Sequence, residues 1–195
     1  IYDAIFIDRD GTLNPDPGYI SSLHDFQLFS FTLDGLKKLS ILSPHLCIIT
    51  NQSGISRGLI EKDELDKIHS YLIGKIEQEN MAISGLYVCT DLPGTGSKRR
   101  KPQSGMFFEA EIDLSIKLNQ CLMIGDSISD IEAGYLLNMD TMLVLTGRGQ
   151  KTLKKISDKC ISFTVKNLFH AWLAKYFSSN TQSKYKGIMK IFSER

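Results

Sequence analysis

The chain has 195 residues, of which 42% are hydrophobic and 23% charged, and its formal net charge is +1. That length suits one domain with a sizeable core, and the near-neutral balance argues against nucleic acid or an acidic membrane surface as a partner. No apolar run approaches the roughly 20 residues of a membrane span, so no membrane association is expected and the cytoplasm is the simplest location.

The first apolar run, Ala4–Ile7, reads as a buried strand and is followed at once by "DRDGT". Residues two apart share a strand face, so Asp8 and Asp10 should project together past the strand end. Two adjacent carboxylates resist joint ionisation unless a metal, a Lys or Arg, or one shared proton offsets their repulsion. Gly11 permits a sharp turn or a close backbone approach. An irregular stretch over residues 13–31 follows, then helical spacing over 33–42.

A second strand at 46–49 leads into "TNQSG" from Thr50. The helix expected over 62–79 carries Leu65, Ile68, Leu72 and Ile76 at spacings of three or four, a stripe that should face the core. A third strand at 86–89 opens into a second long loop, 90–104, which ends in "KRRKP" and places Arg100 and Lys101 just before the helix expected over 105–118. A fourth strand at 121–124 runs into "GDSISD", whose spacing sets Asp126 at the strand end and Asp130 on the first turn of a helix over 129–137. There Asp130 can support a metal, orient Lys101, or serve as a carboxylate favoured by the helix dipole. Strands at 141–145 and 161–165 and a helix over 165–177 complete the pattern.

Alternating strands and helices predict an α/β fold: a doubly wound, Rossmann-like parallel sheet with helices on both faces and no large cap domain. The expected domain covers residues 1–177, with a polar then basic tail over 178–195. Cys47, Cys89, Cys121 and Cys160 stand far apart with no CxxC pair, which favours reduced core thiols over disulfides or a cysteine-rich zinc site. Nothing in the sequence fixes an oligomeric state.

In such a sheet, ligands bind at the carboxyl ends of the strands, and there a hydroxyl, basic residues and several acids converge. A phosphoryl group needs donors for its oxygens, a cation to neutralise its charge and an in-line nucleophile. Asp8 can attack, Thr50 and Lys101 can bind the transferring oxygens, and Asp8 with Asp126 can hold a hard cation such as Mg²⁺.

With "DRDGT", Thr50, Lys101 and "GDSISD" in this order, the chain resembles the haloacid dehalogenase superfamily of phosphohydrolases over roughly residues 3–149. "FIDRDGTLN", "GYI", "TNQSGISRG" and "RKP" resemble its histidinol-phosphate and heptose-bisphosphate phosphatase branch. The resemblance implies that Asp8 is the nucleophile, that Asp10 is the general acid and base, and that Mg²⁺ is held by the Asp8 and Asp126 side chains and the Asp10 main-chain carbonyl. It places Asn51 near the substrate phosphate and Arg57 and Arg100 on the substrate. The implied reaction is hydrolysis of a small phosphorylated sugar, with a heptose 1,7-bisphosphate cleaved at its 7-phosphate as the leading expectation. Alternatives are histidinol phosphate, a nucleic-acid 3′-phosphate, or phosphate binding without turnover.

One departure concerns zinc. Members of that branch carry a structural zinc in the loop before "RKP", held by a Cys-x-His and a later Cys-x-Cys pair. Here Cys89 is followed by Asp91 at the His position, with Ser97 and Arg99 at the later cysteine positions, so no zinc is expected. Lys98 and Arg99 are expected to be solvated, and Arg100 to contact substrate.

Overall fold

The computed structural model describes residues 1–173. The expected tail over 178–195 and the last part of the helix expected over 165–177 lie outside the described residues.

Six strands form one sheet: β1 (Ala4–Ile7), β2 (His45–Asn51), β3 (Gly85–Cys89), β4 (Leu122–Gly125), β5 (Asp140–Val144) and β6 (Phe163–Val165). Their order is β3-β2-β1-β4-β5-β6, and every pairing is parallel. The expected fold is therefore observed. Ile7 lies opposite both Ile48 and Ile124, so the central strands end in step and deliver the residues beyond them to one edge. β2 runs farther than its apolar core, because Thr50 and Asn51 still pair with Val88 and Cys89 of β3. Thr50 is thus a strand residue, not the first residue of a loop.

The helices are α1 (Thr32–Leu39), α2 (Lys62–Gln78), α3 (Gly105–Leu114), α4 (Ile128–Leu136) and the short α5 (Gly149–Leu153). Two expectations need correction. The helix expected over 105–118 stops at Leu114, because Ser115 turns left-handed with φ 54°, and Leu118–Gln120 forms a separate 3-10 turn. In the described part of 165–177, Val165 still belongs to β6, Asn167 is extended, a 3-10 turn covers Leu168–His170, and helical backbone begins only at Ala171. Short α5, "GQKTL", has no apolar period by which it could have been anticipated.

Strand parity divides the core. Ile5 and Ile7 face the layer built from Leu36 and Leu39 of α1 and Ile68, Leu72 and Ile76 of α2. Ala4 and Phe6 face Met106, Phe107 and Ala110 of α3 and Ala133 of α4. Both layers are fully buried where they meet β1, as a doubly covered parallel strand requires. Phe107 seals the second layer with an edge-on contact to Phe6, ring centroids 5.1 Å apart. Replacing Phe107 with Ala should lower the unfolding free energy by about 3–5 kcal/mol, measured by denaturant titration, because the cavity opens beneath the central strand.

Candidate active site

The strand order reverses between β1 and β4, which opens a crevice at their carboxyl ends. Asp8 follows β1 and Asp126 follows β4. The Asp8 N–H still donates to the Ile124 carbonyl at 2.9 Å, which continues the ladder into the site. A cleft of about 300 Å³ lies there, lined by Asp8, Asp10, Thr50, Asn51, Arg57, Arg100, Lys101, Asp126 and Asp130 among others. All nine residues singled out from the sequence therefore meet in one place. Both long loops reach it as well, through Asp16, Gly18 and Tyr19 from the first and Pro93, Arg100 and Lys101 from the second.

Lys101 is buried at the centre. Its Nζ donates to Asp8 Oδ1 and to the Ile49 carbonyl, both at 2.7 Å, and forms an ion pair with Asp130 Oδ1 at 2.7 Å. Burial alone would lower the Lys101 pKa, but the Asp130 and Asp8 carboxylates outweigh it and push the ammonium above its ordinary range. Asn51 fixes the lysine's backbone: its Nδ2 donates to the Lys101 carbonyl and its Oδ1 accepts the Lys101 N–H, each at 3.1 Å. The Asn51 side chain thus lines the cleft while its amide is committed to Lys101.

Asp130 fills two of the roles foreseen for it. Its Oδ2 accepts from the Ser127 N–H at 3.0 Å and the Ser127 hydroxyl at 2.6 Å, closing the amino end of α4, while its Oδ1 faces Lys101. Carboxylate oxygens of Asp8, Asp126 and Asp130 lie within 4.8 Å of one another, and all three residues are buried. Burial and the Asp130 charge raise Asp8 well above the usual carboxylate range, against the pull of Lys101. The same two causes raise Asp126 to about 7, against the Arg148 N–H that donates to its Oδ2 at 2.6 Å.

The residues fit a divalent cation. Three buried acids face one buried ammonium, an excess of two acidic groups with all-oxygen donors that a cation would meet once they ionise. Glycines make the room. Gly11, at φ +86°, and Gly147, at φ +51°, both press against the Asp126 carboxylate, and a Cβ on either would run into it. Gly11 thus supplies both the turn and the close approach that its place after Asp10 suggests.

Asp10 is held quite differently from Asp8. Arg9 donates to it bidentately, Nε to Oδ1 at 3.0 Å and Nη2 to Oδ2 at 2.9 Å. Asn14 Nδ2 donates to Oδ1 at 2.9 Å and Gln52 Nε2 to Oδ2 at 2.7 Å. Gln52 also donates to the buried Thr50 hydroxyl at 2.8 Å, which leaves the Thr50 proton available for an anion in the cleft. The carboxylate repulsion anticipated at "DRD" is relieved by giving each acid its own cation.

Arg57 is exposed and Arg100 half-buried at the mouth of the cleft, where Arg100 Nη1 donates to the Asp91 carbonyl at 3.0 Å. Arg99 is exposed, as expected, and its guanidinium also pairs with Glu109 at 2.6 Å and 2.9 Å and donates to the Val88 carbonyl. In the same loop Asp91 Oδ2 accepts from Ser97 Oγ at 2.5 Å and from Cys89 Sγ at 3.5 Å. These two hydrogen bonds, Ser97's first, hold the Asp91 carboxyl below its ordinary value.

Arg9, Asn14, Gln52, Gly147 and Arg148 were not singled out from the sequence. Arg9 and Gln52 sit inside quoted motifs, and the signal for Arg9 was a fully charged residue at a position whose parity points into the core. Arg148 carries no local pattern; its side chain pairs with Asp16 at 2.9 Å across the cleft.

Comparison with known proteins agrees with this geometry. Residues 98–170 match the HAD-hydrolase-like family model. The chain is 34% identical over 152 residues to D-glycero-beta-D-manno-heptose-1,7-bisphosphate 7-phosphatase of Haemophilus influenzae, spanning 74% of this chain and 83% of that protein. It is 32% identical over 157 residues to the enzyme of the same name from Photorhabdus laumondii, spanning 76% and 84%. Among solved structures, D,D-heptose 1,7-bisphosphate phosphatase from B. bronchiseptica, complexed with magnesium and phosphate, superposes with a TM-score of 0.80 at 24% identity, over 92% of this chain and 99% of that one. By sequence relatedness and by fold, the chain belongs to the haloacid dehalogenase-like phosphatases, in the family of these heptose-bisphosphate enzymes.

Proposed function

We propose that the cleft hydrolyses the 7-phosphate of a heptose 1,7-bisphosphate through a phosphoenzyme on Asp8. The observation that carries this is the buried Asp8–Lys101–Asp130 ion-pair array beside Asp126, lining a cleft sized for a small substrate. A carboxylate oxygen of Asp8 attacks phosphorus as the ester P–O bond breaks. The departing alkoxide takes its proton from Asp10. Water then attacks the acyl phosphate with Asp10 accepting its proton, releasing phosphate and restoring Asp8. Thr50 donates to an equatorial oxygen throughout, and the Lys101 ammonium beside it offsets the charge on those oxygens.

Asp8, Asp126 and the Asp10 carbonyl would hold Mg²⁺, with Asp130 supporting the array. When bound, the cation neutralises the phosphate and the Asp8 charge so that the two can approach. The substrate assignment rests on the named activity of relatives 32% and 34% identical to this chain. Arg57, Arg100 and Arg148 at the cleft wall suit a substrate with a second anionic group.

Phosphate release should be Mg²⁺-dependent and faster from heptose 1,7-bisphosphate than from histidinol phosphate or a 3′-phosphorylated oligonucleotide. Asp8→Asn should lower kcat about a thousandfold or more with an unchanged melting temperature. Wild-type turnover by that variant would contradict the nucleophile assignment, and preference for another substrate would move the substrate alone.

The raised Asp126 pKa sets a pH dependence. Between its unfolded value, 3.8, and its folded value, about 7, the folded protein holds a proton that the unfolded chain has lost. Without a divalent cation, stability therefore falls as pH rises through that window. Mg²⁺ must displace the proton at low pH and meets an ionised site at high pH, so it should raise the melting temperature more at about pH 8 than at about pH 5. Equal shifts at both would contradict a carboxylate site with raised pKa.

Zinc has no part in this scheme. The hydrogen bonds of Asp91 to Ser97 and Cys89 support a loop closed without metal. A zinc-selective chelator, with Mg²⁺ kept in excess, should leave kcat and melting temperature unchanged, and metal analysis should find no stoichiometric zinc.

A further inference from the structure

Beneath Asp10 lies a buried polar pair that the proposed chemistry does not use directly. Arg9 is 0% exposed, with its Cζ 5.8 Å from the centroid of the Phe26 ring. Two of its nitrogens grip Asp10, and the third, Nη1, meets His69 Nε2 at 3.0 Å. Strand parity explains the arrangement: Arg9 continues the odd-numbered series of Ile5 and Ile7 toward α2, away from the metal carboxylates. His69 falls on the buried stripe of α2, with Leu65, Ile68, Leu72 and Ile76, and does not line the cleft. A polar side chain on a core stripe needs a partner, and Arg9 is that partner.

The direction of the bond is fixed by chemistry. Arginine can only donate, so His69 Nε2 accepts and the ring proton sits on Nδ1. Burial and then the Arg9 charge lower the His69 pKa to about 4, which keeps the ring neutral and accepting near neutral pH.

We infer that Arg9 and His69 are positioning residues that aim the Asp10 carboxyl at the leaving group, so that a side chain of α2 outside the cleft governs protonation of the leaving alcohol. This rests on the assignment of Asp10 as the general acid. Asn14 and Gln52 each offer Asp10 one hydrogen bond, whereas the Arg9 fork offers two in one plane, which fixes the carboxyl torsion. The fork is itself held by its third donor on His69. Lysine cannot replace it, having no planar fork.

A purely structural role predicts equal losses on all substrates; a positioning role does not. An alkyl phosphate needs its leaving oxygen protonated as the P–O bond breaks, whereas p-nitrophenyl phosphate leaves as a stable phenolate. The comparison uses kcat/KM, which covers steps through formation of the Asp8 phosphoenzyme, with Mg²⁺ saturating. Asp10→Ala should fall by about a hundredfold on the alkyl substrate and far less on the aryl one. His69→Leu should fall at least about tenfold on the alkyl substrate and less than about threefold on p-nitrophenyl phosphate. Arg9→Lys should follow the same pattern, and His69→Gln, which keeps an acceptor for Nη1, should stay within about threefold of wild type on both. If Asp10→Ala is selective and neither His69→Leu nor Arg9→Lys is, the pair does not position Asp10. If Asp10→Ala loses both substrates alike, the acid assignment falls and the pair falls with it. Should Arg9→Lys fail to fold, the two His69 variants decide.

Discussion

The site depends on one buried ammonium. Three carboxylates crowd the switch point of the sheet, and without Lys101 their mutual repulsion would oppose folding. Lys101 comes from the loop after β3, on the far side of β2 from Asp8, and must cross the end of β2 to reach it. The crossing is fixed at two points: the Ile49 carbonyl takes one Nζ hydrogen, and the Asn51 amide clamps the lysine's backbone from both sides. That explains why β2 runs on through Thr50 and Asn51 after its apolar core has ended. The polar end of the strand is the seat of the lysine.

Lys101 only partly neutralises the cluster, and the remainder has chemical meaning. An excess of two acidic groups, walled by glycines that let Asp126 press against two loop backbones, matches the ligand preference of a small hard cation. Asp130 couples this array to the fold, since the oxygen that caps α4 belongs to the same carboxylate that faces Lys101. Closing a helix and orienting a lysine are here one interaction.

Much of this was legible in the sequence. The six apolar runs mark the six strands, and polar residues placed straight after them converge on one edge because parallel strands aligned in register can deliver them nowhere else. Asp8, Thr50 and Asp126 could be found for that reason, and Lys101 from its place in "RKP" at the end of the loop after β3. Helix ends were less legible: Leu114 ends α3 through the left-handed Ser115, which no periodicity marks, and α5 is too short to have a period. Least visible were contacts between distant segments. His69 is 60 residues from Arg9, and Arg148 is 132 residues from Asp16. A stripe pattern identifies α2 as a core helix, but it does not say that the histidine on the stripe answers an arginine after β1.

The "DRD" segment resolves a conflict that any double-carboxylate motif meets. Two identical side chains two residues apart can take different parts only if the backbone gives them different surroundings. Here the backbone turns directly after Asp8. The Arg9 carbonyl accepts the N–H groups of Thr12, Leu13 and Asn14, and the bend separates the two acids into different polar networks. Asp8 joins the lysine and the other carboxylates; Asp10 joins an arginine, two amides and, through the arginine, a neutral imidazole. The residue between the two acids is therefore not a spacer. By pointing to the opposite layer of the sheet, Arg9 places a fixed charge behind Asp10 without adding a cation to the cluster around Asp8, and so lets one short motif supply two carboxylates with different duties.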